Sequence, residues 1–194
     1  MDNITSNDGS ITCEQMQKIV ELLNEYSSVN ILEYGAGVST RLFEKYCKET
    51  NANLTTLEHD KKYHYDNNVY FNLKTCGTVN IGGNIYRNSC VYDGLEDWMN
   101  NQSKKFDFVF VDGPFGYFPH TYSRIQMLDP VVYDCLADNG VLLIHDSERK
   151  SSRNSQKELE RIFNEKGYVI TVEDCLMRKP QNDKLLTIIR FKRL

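Results

Sequence analysis

The run Val29-Asn30-Ile31-Leu32-Glu33-Tyr34 is short and β-prone, and it leads straight into Gly35-Ala36-Gly37. Ser39 or Thr40 can then cap a helix whose apolar positions are Leu42, Phe43 and Tyr46. A strand that ends in Gly-x-Gly where a helix begins constrains this chain more than any other feature. It demands a strand–helix unit, and it lets backbone approach a ligand closely because no Cβ stands in the way.

The alternation extends in both directions from that turn. Upstream, Thr12 with Gln15 forms a capping box ahead of Met16, Ile19, Val20, Leu22 and Leu23, which predicts an amphipathic helix to about Tyr26. Residues 1–11 are read as a flexible polar tail. Downstream, Leu54 to Glu58 is a second strand and Lys61 to Asn67 a short helix. The β-prone stretches 69–73 and 79–85 follow, broken by Gly77, Gly82 and Gly83, and Leu95 opens a helix. Phe106-Asp107-Phe108-Val109-Phe110-Val111 is nearly all apolar, as a central parallel strand buried on both faces must be. Asp129-Pro130 reads as an N-cap with proline at the first helical position, predicting a helix through Leu136. Val141 to Ile144 is another buried strand, Ser155 to Lys166 a helix stopped by Gly167, and strands near 168–172 and 185–191 flank a loop containing Pro180.

Strands alternating with helices predict an α/β fold, a Rossmann-like doubly wound, mostly parallel sheet. The last two strands lack an intervening helix and are expected as an antiparallel pair at one end. With 194 residues and no linker or repeat, residues 1–194 form a single domain. Net charge is −4 with no basic run longer than Lys104-Lys105, which disfavours a nucleic-acid partner. No run approaches the ~18 apolar residues that span a bilayer, and Met1-Asp2-Asn3 does not begin a secretory signal. The expectation is a protein without a membrane partner, cytoplasmic in location. Six scattered cysteines without a C-x-x-C pair are expected as reduced, mostly buried thiols.

In open α/β sheets the glycine turn lies at the carboxyl ends of the strands, where ligands bind. Dinucleotides and S-adenosylmethionine (SAM) both use such a turn. The dinucleotide pattern wants a third glycine where this chain has Thr40, and Glu33 suits the cationic SAM better than a pyrophosphate. Glu58 closes the second strand, where a carboxylate can accept from ribose hydroxyls. Tyr92-Asp93-Gly94 precedes the Leu95 helix: Asp93 either accepts from the adenine amine, with Tyr92 stacking on the ring, or caps that helix. The SAM contacts expected are therefore Glu33, Tyr34, Gly35, Gly37, Ser39, Glu58, Tyr92, Asp93 and Asp112.

Asp112-Gly113-Pro114 ends the most apolar strand and His145-Asp146 ends the next, at the same sheet edge as Gly35. Buried carboxylates need a partner or a function. Asp112 and Asp146 are candidate ligands for a divalent metal ion, or caps of the following turns. His145 is the candidate general base, with Asp112 and Asp146 completing the catalytic set. Arg149 either binds an acidic substrate or pairs with Asp146. The aromatic stretch Phe115 to Tyr122 is expected as a loop over the site.

These residues resemble those of class I SAM-dependent methyltransferases over about residues 30–150. More narrowly, Val111-Asp112-Gly113-Pro114-Phe115-Gly116-Tyr117 and Ile144-His145-Asp146-Ser147-Glu148-Arg149 are similar to stretches of the glucuronoxylan 4-O-methyltransferase family. The resemblance implies methyl transfer from SAM to a hydroxyl of a sugar or glycan. It places Glu33, Gly35, Gly37 and Glu58 at SAM, and Asp112, His145 and Asp146 near the acceptor. The chain departs from that family in being compact, without a signal anchor and with a different N-terminal segment, so the expectation is a cytosolic glycan or sugar-nucleotide modifier, with a homodimer allowed. The rival readings are a metal-assisted O-methyltransferase of a small phenol or catechol, and an NAD-binding oxidoreductase.

Overall fold

The computed structural model describes residues 11–81, 83–114, 124–128, 130–177 and 184–194. A seven-stranded sheet runs through them. Its first half is parallel: β1 (Asn30–Tyr34) lies between β2 (Asn53–Glu58) and β6 (Phe106–Val111), with β3 (Asn68–Tyr70) outside β2 and β7 (Leu136–His145) outside β6. The chain then departs from a classic dinucleotide fold. β9 (Lys184–Arg193) inserts antiparallel between β7 and β8 (Tyr168–Met177), so the order is β3-β2-β1-β6-β7-β9-β8. The antiparallel pair at one end is as expected; the last strand slipping inside its predecessor is not visible in the pattern.

Helices cover both faces. α1 (Cys13–Leu23) and α2 (Val38–Glu49) share a core with Ile31, Phe108, Phe110 and Leu143. α3 (Leu95–Asn100), α4 (Pro130–Asp134) and α5 (Lys150–Glu165) share the other with Leu32, Val109, Val111 and Leu142. Successive residues of one strand thus feed opposite cores, which is why Phe108 to Val111 are all fully buried. Each such side chain contributes roughly 1.5–3 kcal/mol of burial. By the same alternation Glu33 and His145 point to the α1/α2 side, where the His145 ring lies 6.3 Å from that of Phe110.

Local expectations meet mixed outcomes. The Thr12–Gln15 capping box is present in both directions, at 3.0 and 3.2 Å. Residues 1–10 lie outside the described residues, but Ile11 is buried in the α1/α2 core and is no part of a loose tail. α1 stops at Leu23, where the apolar repeat runs out, rather than near Tyr26. Residues 61–67 form turns instead of a helix, because Asp60 takes the Tyr63 amide on its carbonyl and the Lys62 amide on its carboxylate. The glycine-broken region is a separate hairpin, β4 (Leu73–Ile81) with β5 (Asn84–Tyr92). α4 ends at Asp134, and α5 begins five residues ahead of Ser155 because Ser152 is itself a buried helical position. Gly167, at φ +80°, ends α5 as anticipated. The expected cap Asp129, the aromatic stretch Phe115 to Tyr122 and Pro180 lie outside the described residues. Only Cys90 and Cys135 are buried; Cys13 and Cys76 are exposed, which corrects the expectation of mostly buried thiols. Among the described residues no helix is long and apolar enough to cross a membrane.

Candidate active site

The glycine turn is built on backbone packing. Gly35, at φ +90°, lies so close to Gly113 that a Cβ on it would stand 2.7 Å from the Gly113 Cα. The Tyr34 carbonyl accepts from the amides of Asp112 (3.0 Å) and Gly113 (2.5 Å), while the Gly35 amide donates to the Leu57 carbonyl. Gly35 therefore lets the ends of β1 and β6 touch, and this contact sets Asp112 beside the turn. Gly37 differs: a Cβ there would meet nothing within 4 Å, which leaves an open cradle at the start of α2.

Glu33 stands behind the turn, fully enclosed. Its carboxyl accepts from the hydroxyls of Ser39 (2.5 Å), Thr40 (2.8 Å) and Thr56 (2.9 Å). Thr40 in turn accepts from the Gly37 amide at 2.8 Å. Burial pushes the Glu33 carboxyl up to about 8 despite those three donors, with nearby Asp112 adding to the rise. Through Ser39 and Thr40 it braces the turn from behind. Ser39, expected as a helix cap or SAM contact, donates to Glu33 and does not cap α2, whose N-cap is Gly37. Tyr34 is buried against Tyr92, with ring centroids 6.3 Å apart, so at the turn it offers its carbonyl rather than its ring.

Glu58 crosses from β2 to the turn. Oε2 accepts from the Ala36 amide (2.7 Å), and Oε1 from the amides of His59 (2.6 Å) and Asp60 (2.8 Å), while His59 Nδ1 lies 2.9 Å from Oε1. Burial works to raise this carboxyl, but the His59 imidazole and the three amides outweigh it and hold the group below its ordinary value. An ionised carboxylate whose Oε2 has one donor can still accept from a vicinal diol. A pyrophosphate is poorly served by the same turn, because the Ala36 and Gly37 amides are already engaged and an anion sits beneath them.

On the adenine side the reading divides. Asp93 is 58 % exposed, 3.9 Å from Lys74 Nζ, and does not cap α3, whose N-cap is Gly94 at φ +82°. Tyr92 is enclosed, its hydroxyl donating to the Leu57 carbonyl and its ring packed near Phe71 and His59.

At the other strand ends Asp112, His145 and Asp146 converge. His145 Nδ1 is 3.0 Å from Asp112 Oδ1 and 3.6 Å from Asp146 Oδ1. Asp146 takes the left-handed region at φ 53°, which among side-chain-bearing residues aspartate tolerates well. Its Oδ2 lies 2.5 Å from Arg149 Nη2, so Arg149 pairs as one reading anticipated. His145, the expected base, is 0 % exposed, and its Nε2 has no partner among the described residues; Asp112 is the member that reaches outward, at 31 %. Burial would raise the Asp112 carboxyl, but His145, Arg124 and Arg149 more than offset it and pull it down to about 2.

Sequence reasoning missed two residues that organise this edge. Arg124 donates through Nη1 to the His145 carbonyl and through Nη2 to the carbonyl and carboxylate of Asp112. Gln126 bonds both the amide and the carbonyl of Tyr92. Residues 124–128 thereby tie the ends of β5, β6 and β7 together. Neither residue sits in an apolar period or a recognisable spacing, so no local signal marked them.

A family model described as "Methyltransferase domain" matches residues 32–147, more than half of the chain and all of the turn, Glu58 and the Asp112–His145 edge. The chain belongs to the methyltransferase-domain family. It is a methyltransferase. Solved structures with the same fold include an O-methyltransferase from Bacillus cereus in complex with SAH. It is 14 % identical with TM-score 0.60, over 96 % of this chain and 84 % of that one. The O-methyltransferase TomG from Streptomyces achromogenes in complex with SAM is 12 % identical with TM-score 0.59, over 95 % and 82 %. A precorrin-6y C5,15-methyltransferase from Geobacter metallireducens is 14 % identical with TM-score 0.58, over 98 % and 95 %. No protein of curated function matches the sequence. The methyltransferase fold thus recurs in proteins named for different acceptor atoms, so the acceptor must be argued from the site.

Proposed function

We propose that this methyltransferase acts on oxygen, transferring the methyl group to a hydroxyl, with Asp112 as the residue that meets the acceptor. The observation that carries the reading is the position of Asp112. The Tyr34 carbonyl holds the Asp112 amide at 3.0 Å, next to the turn, while the side chain remains partly exposed. In this reading Gly35-Ala36-Gly37 and Glu58 hold the cofactor, Glu58 through the ribose hydroxyls, and Asp93 stands on the adenine side. Glu33, Ser39 and Tyr34 act through the backbone they brace, and Tyr92 through the wall it forms.

SAM supplies an electrophilic methyl carbon on a sulfonium. The chain's residues orient the hydroxyl: Asp112 accepts its hydrogen bond and aims a lone pair of the oxygen along the line of displacement. With the methyl group delivered to the oxygen, the hydroxyl proton would pass to the Asp112–His145 pair and out to solvent. A carboxyl held near 2 is a weak base, so most of the rate is expected from near-attack placement rather than from early deprotonation. His145, enclosed behind Asp112, positions that carboxylate and shares the proton.

The acceptor class proposed is a sugar or glycan hydroxyl, supported by the Asp112-Gly113-Pro114 and His145-Asp146 to Arg149 stretches. A cytoplasmic, homodimeric enzyme belongs to the same proposal. A small phenol is the second reading, favoured by a putative caffeoyl-CoA O-methyltransferase from Staphylococcus aureus among the structural neighbours. Labelled SAM offered with a panel of sugars, sugar nucleotides and catechols tests it. Label is expected on sugar hydroxyls, with Asp112→Asn binding SAM normally by calorimetry but transferring little. Transfer only to catechols rejects the sugar, and full activity in Asp112→Asn rejects the site.

A further inference from the structure

Asp112, His145 and Asp146 have the composition of a cation site, with ligand atoms within 4.8 Å of one another. A side chain fills that role. Arg124 Nη2 lies 2.9 Å from Asp112 Oδ1, 2.7 Å from the Asp112 carbonyl oxygen and 3.8 Å from Asp146 Oδ2. Its Nη1 lies 2.5 Å from the His145 carbonyl oxygen. Two carboxylates and two carbonyl oxygens gathered on one group make an oxygen shell such as a hard cation takes. Arg124 is only 9 % exposed, and its Nε has no partner among the described residues, so its polar hold on the protein is confined to the two strand ends. Arg149 brings a second guanidinium against Asp146 Oδ2 at 2.5 Å. A divalent ion within roughly 2.0–2.6 Å of these oxygens would have to displace Nη2 and sit beside two fixed positive charges, in surroundings that screen them poorly. The residues as arranged do not fit such an ion.

We infer that Arg124 is the resident cation of this cluster, a positioning residue that fixes the Asp112 carboxylate against His145 where a divalent metal ion would otherwise be required. Methyl transfer is accordingly metal-independent, and loss of the guanidinium turns the cluster into a divalent-cation site. The catalytic half rests on the reading of Asp112 as the acceptor-facing group; the cation half stands on the oxygen shell alone.

Manganese(II) is the probe, because its electron paramagnetic resonance signal distinguishes bound from free ion without any turnover. The full chain is expected to bind no stoichiometric Mn2+ and to keep its transfer rate in excess chelator. Arg124→Gln is expected to bind one Mn2+ per chain at least about tenfold more tightly than the unaltered protein, and to lose it again when Asp146→Asn is added. Arg124→Lys keeps the charge and is expected to exclude Mn2+, while its ammonium cannot bridge both strand ends and turnover falls. Stoichiometric Mn2+ binding by the unaltered chain that Asp112→Asn abolishes overturns the inference. So does an Arg124→Gln protein with a cooperative melt that binds Mn2+ no better than its parent. If Arg124→Gln does not fold, the unaltered chain and Arg124→Lys decide: Mn2+ exclusion by both supports the inference, and binding by either rejects it. Should no acceptor be methylated at all, the Mn2+ measurements still decide the cation half, so the two readings fail separately.

Discussion

Replacing Gly113 by alanine tests whether the glycine turn is shaped by backbone packing. The new Cβ would sit 2.5 Å from the Gly35 Cα, 2.7 Å from the Gly35 nitrogen and 3.0 Å from the Tyr34 carbonyl carbon. Ordinary carbon–carbon contact begins near ~3.5 Å, so the ends of β1 and β6 must part by about 1 Å, and no flexible side chain can yield in their place. That displacement strains the bonds from the Asp112 and Gly113 amides to the Tyr34 carbonyl. Overpacking of a rigid interior costs about 1–3 kcal/mol, and a weakened backbone hydrogen bond about 1 kcal/mol. A loss of about 3 kcal/mol is expected, which for a chain of this size lowers Tm by roughly 6–12 °C. SAM affinity should fall with it, since the turn and Asp112 move apart. Gly37→Ala is the control. Its Cβ meets no atom within 4 Å and its backbone is extended at φ 178°, so stability should change by less than about 0.5 kcal/mol. Its methyl group would instead occupy the cradle assigned to the cofactor and weaken SAM binding by about tenfold or more. Differential scanning calorimetry with SAM titrations reads both. A Gly113→Ala protein that melts like its parent would refute the packing argument, and a Gly37→Ala protein with unchanged SAM affinity would refute the cradle.

Three further outcomes are expected. Asp112→Asn keeps shape but loses the charge that meets the acceptor and His145, and turnover should fall about 10²–10³-fold with SAM affinity retained; single-turnover transfer from labelled SAM measures both. Because the folded Glu33 carboxyl is raised to about 8 from an ordinary 4.5, the folded chain keeps a proton that the unfolded chain releases across that window. Stability should therefore fall as pH rises from about 4.5 to 8, by at most about 1.4 kcal/mol per pH unit from this group, and Glu33→Gln should remove that slope in urea melts at pH 5, 6.5 and 8. Thr12→Ala removes one half of the capping box and should cost about 1 kcal/mol, a Tm shift of roughly 2–4 °C; an unchanged melt would mean that α1 is anchored wholly by Ile11, Ile19 and Leu23.

What was legible in the chain was what depends on neighbours in sequence. Thr12 and Gln15 are three residues apart and declare a helix start; Phe106 to Val111 declares a strand with no wet face; Gly167 declares a helix end. The site was half legible for the same reason. Parallel strands place Glu58, Asp112 and His145 at one edge whatever their partners, so their location followed from counting strands. Their roles did not follow, because each role is set by a group far along the chain. The contact of Gly35 with Gly113, and the hydroxyls of Ser39, Thr40 and Thr56 around Glu33, could not be read from the neighbours of either residue in sequence.

The metal reading of Asp112 and Asp146 came from their place at the strand ends, and with His145 they do converge, their ligand atoms within 4.8 Å of one another. Carboxylates at strand ends advertise themselves, since a buried charge there must be answered, and spacing cannot say by what. The answer comes from Arg124, on a stretch without periodicity that follows a region rich in glycine and aromatic residues. Arg124 also bonds the carbonyls of Asp112 and His145, so it ties together the two strand ends whose carboxylates it neutralises. One side chain thus explains both how the two carboxylates are neutralised and why they converge. A divalent ion could satisfy the first need, but it would leave the carbonyls of β6 and β7 without the directional N–H donors that hold Asp112 against His145.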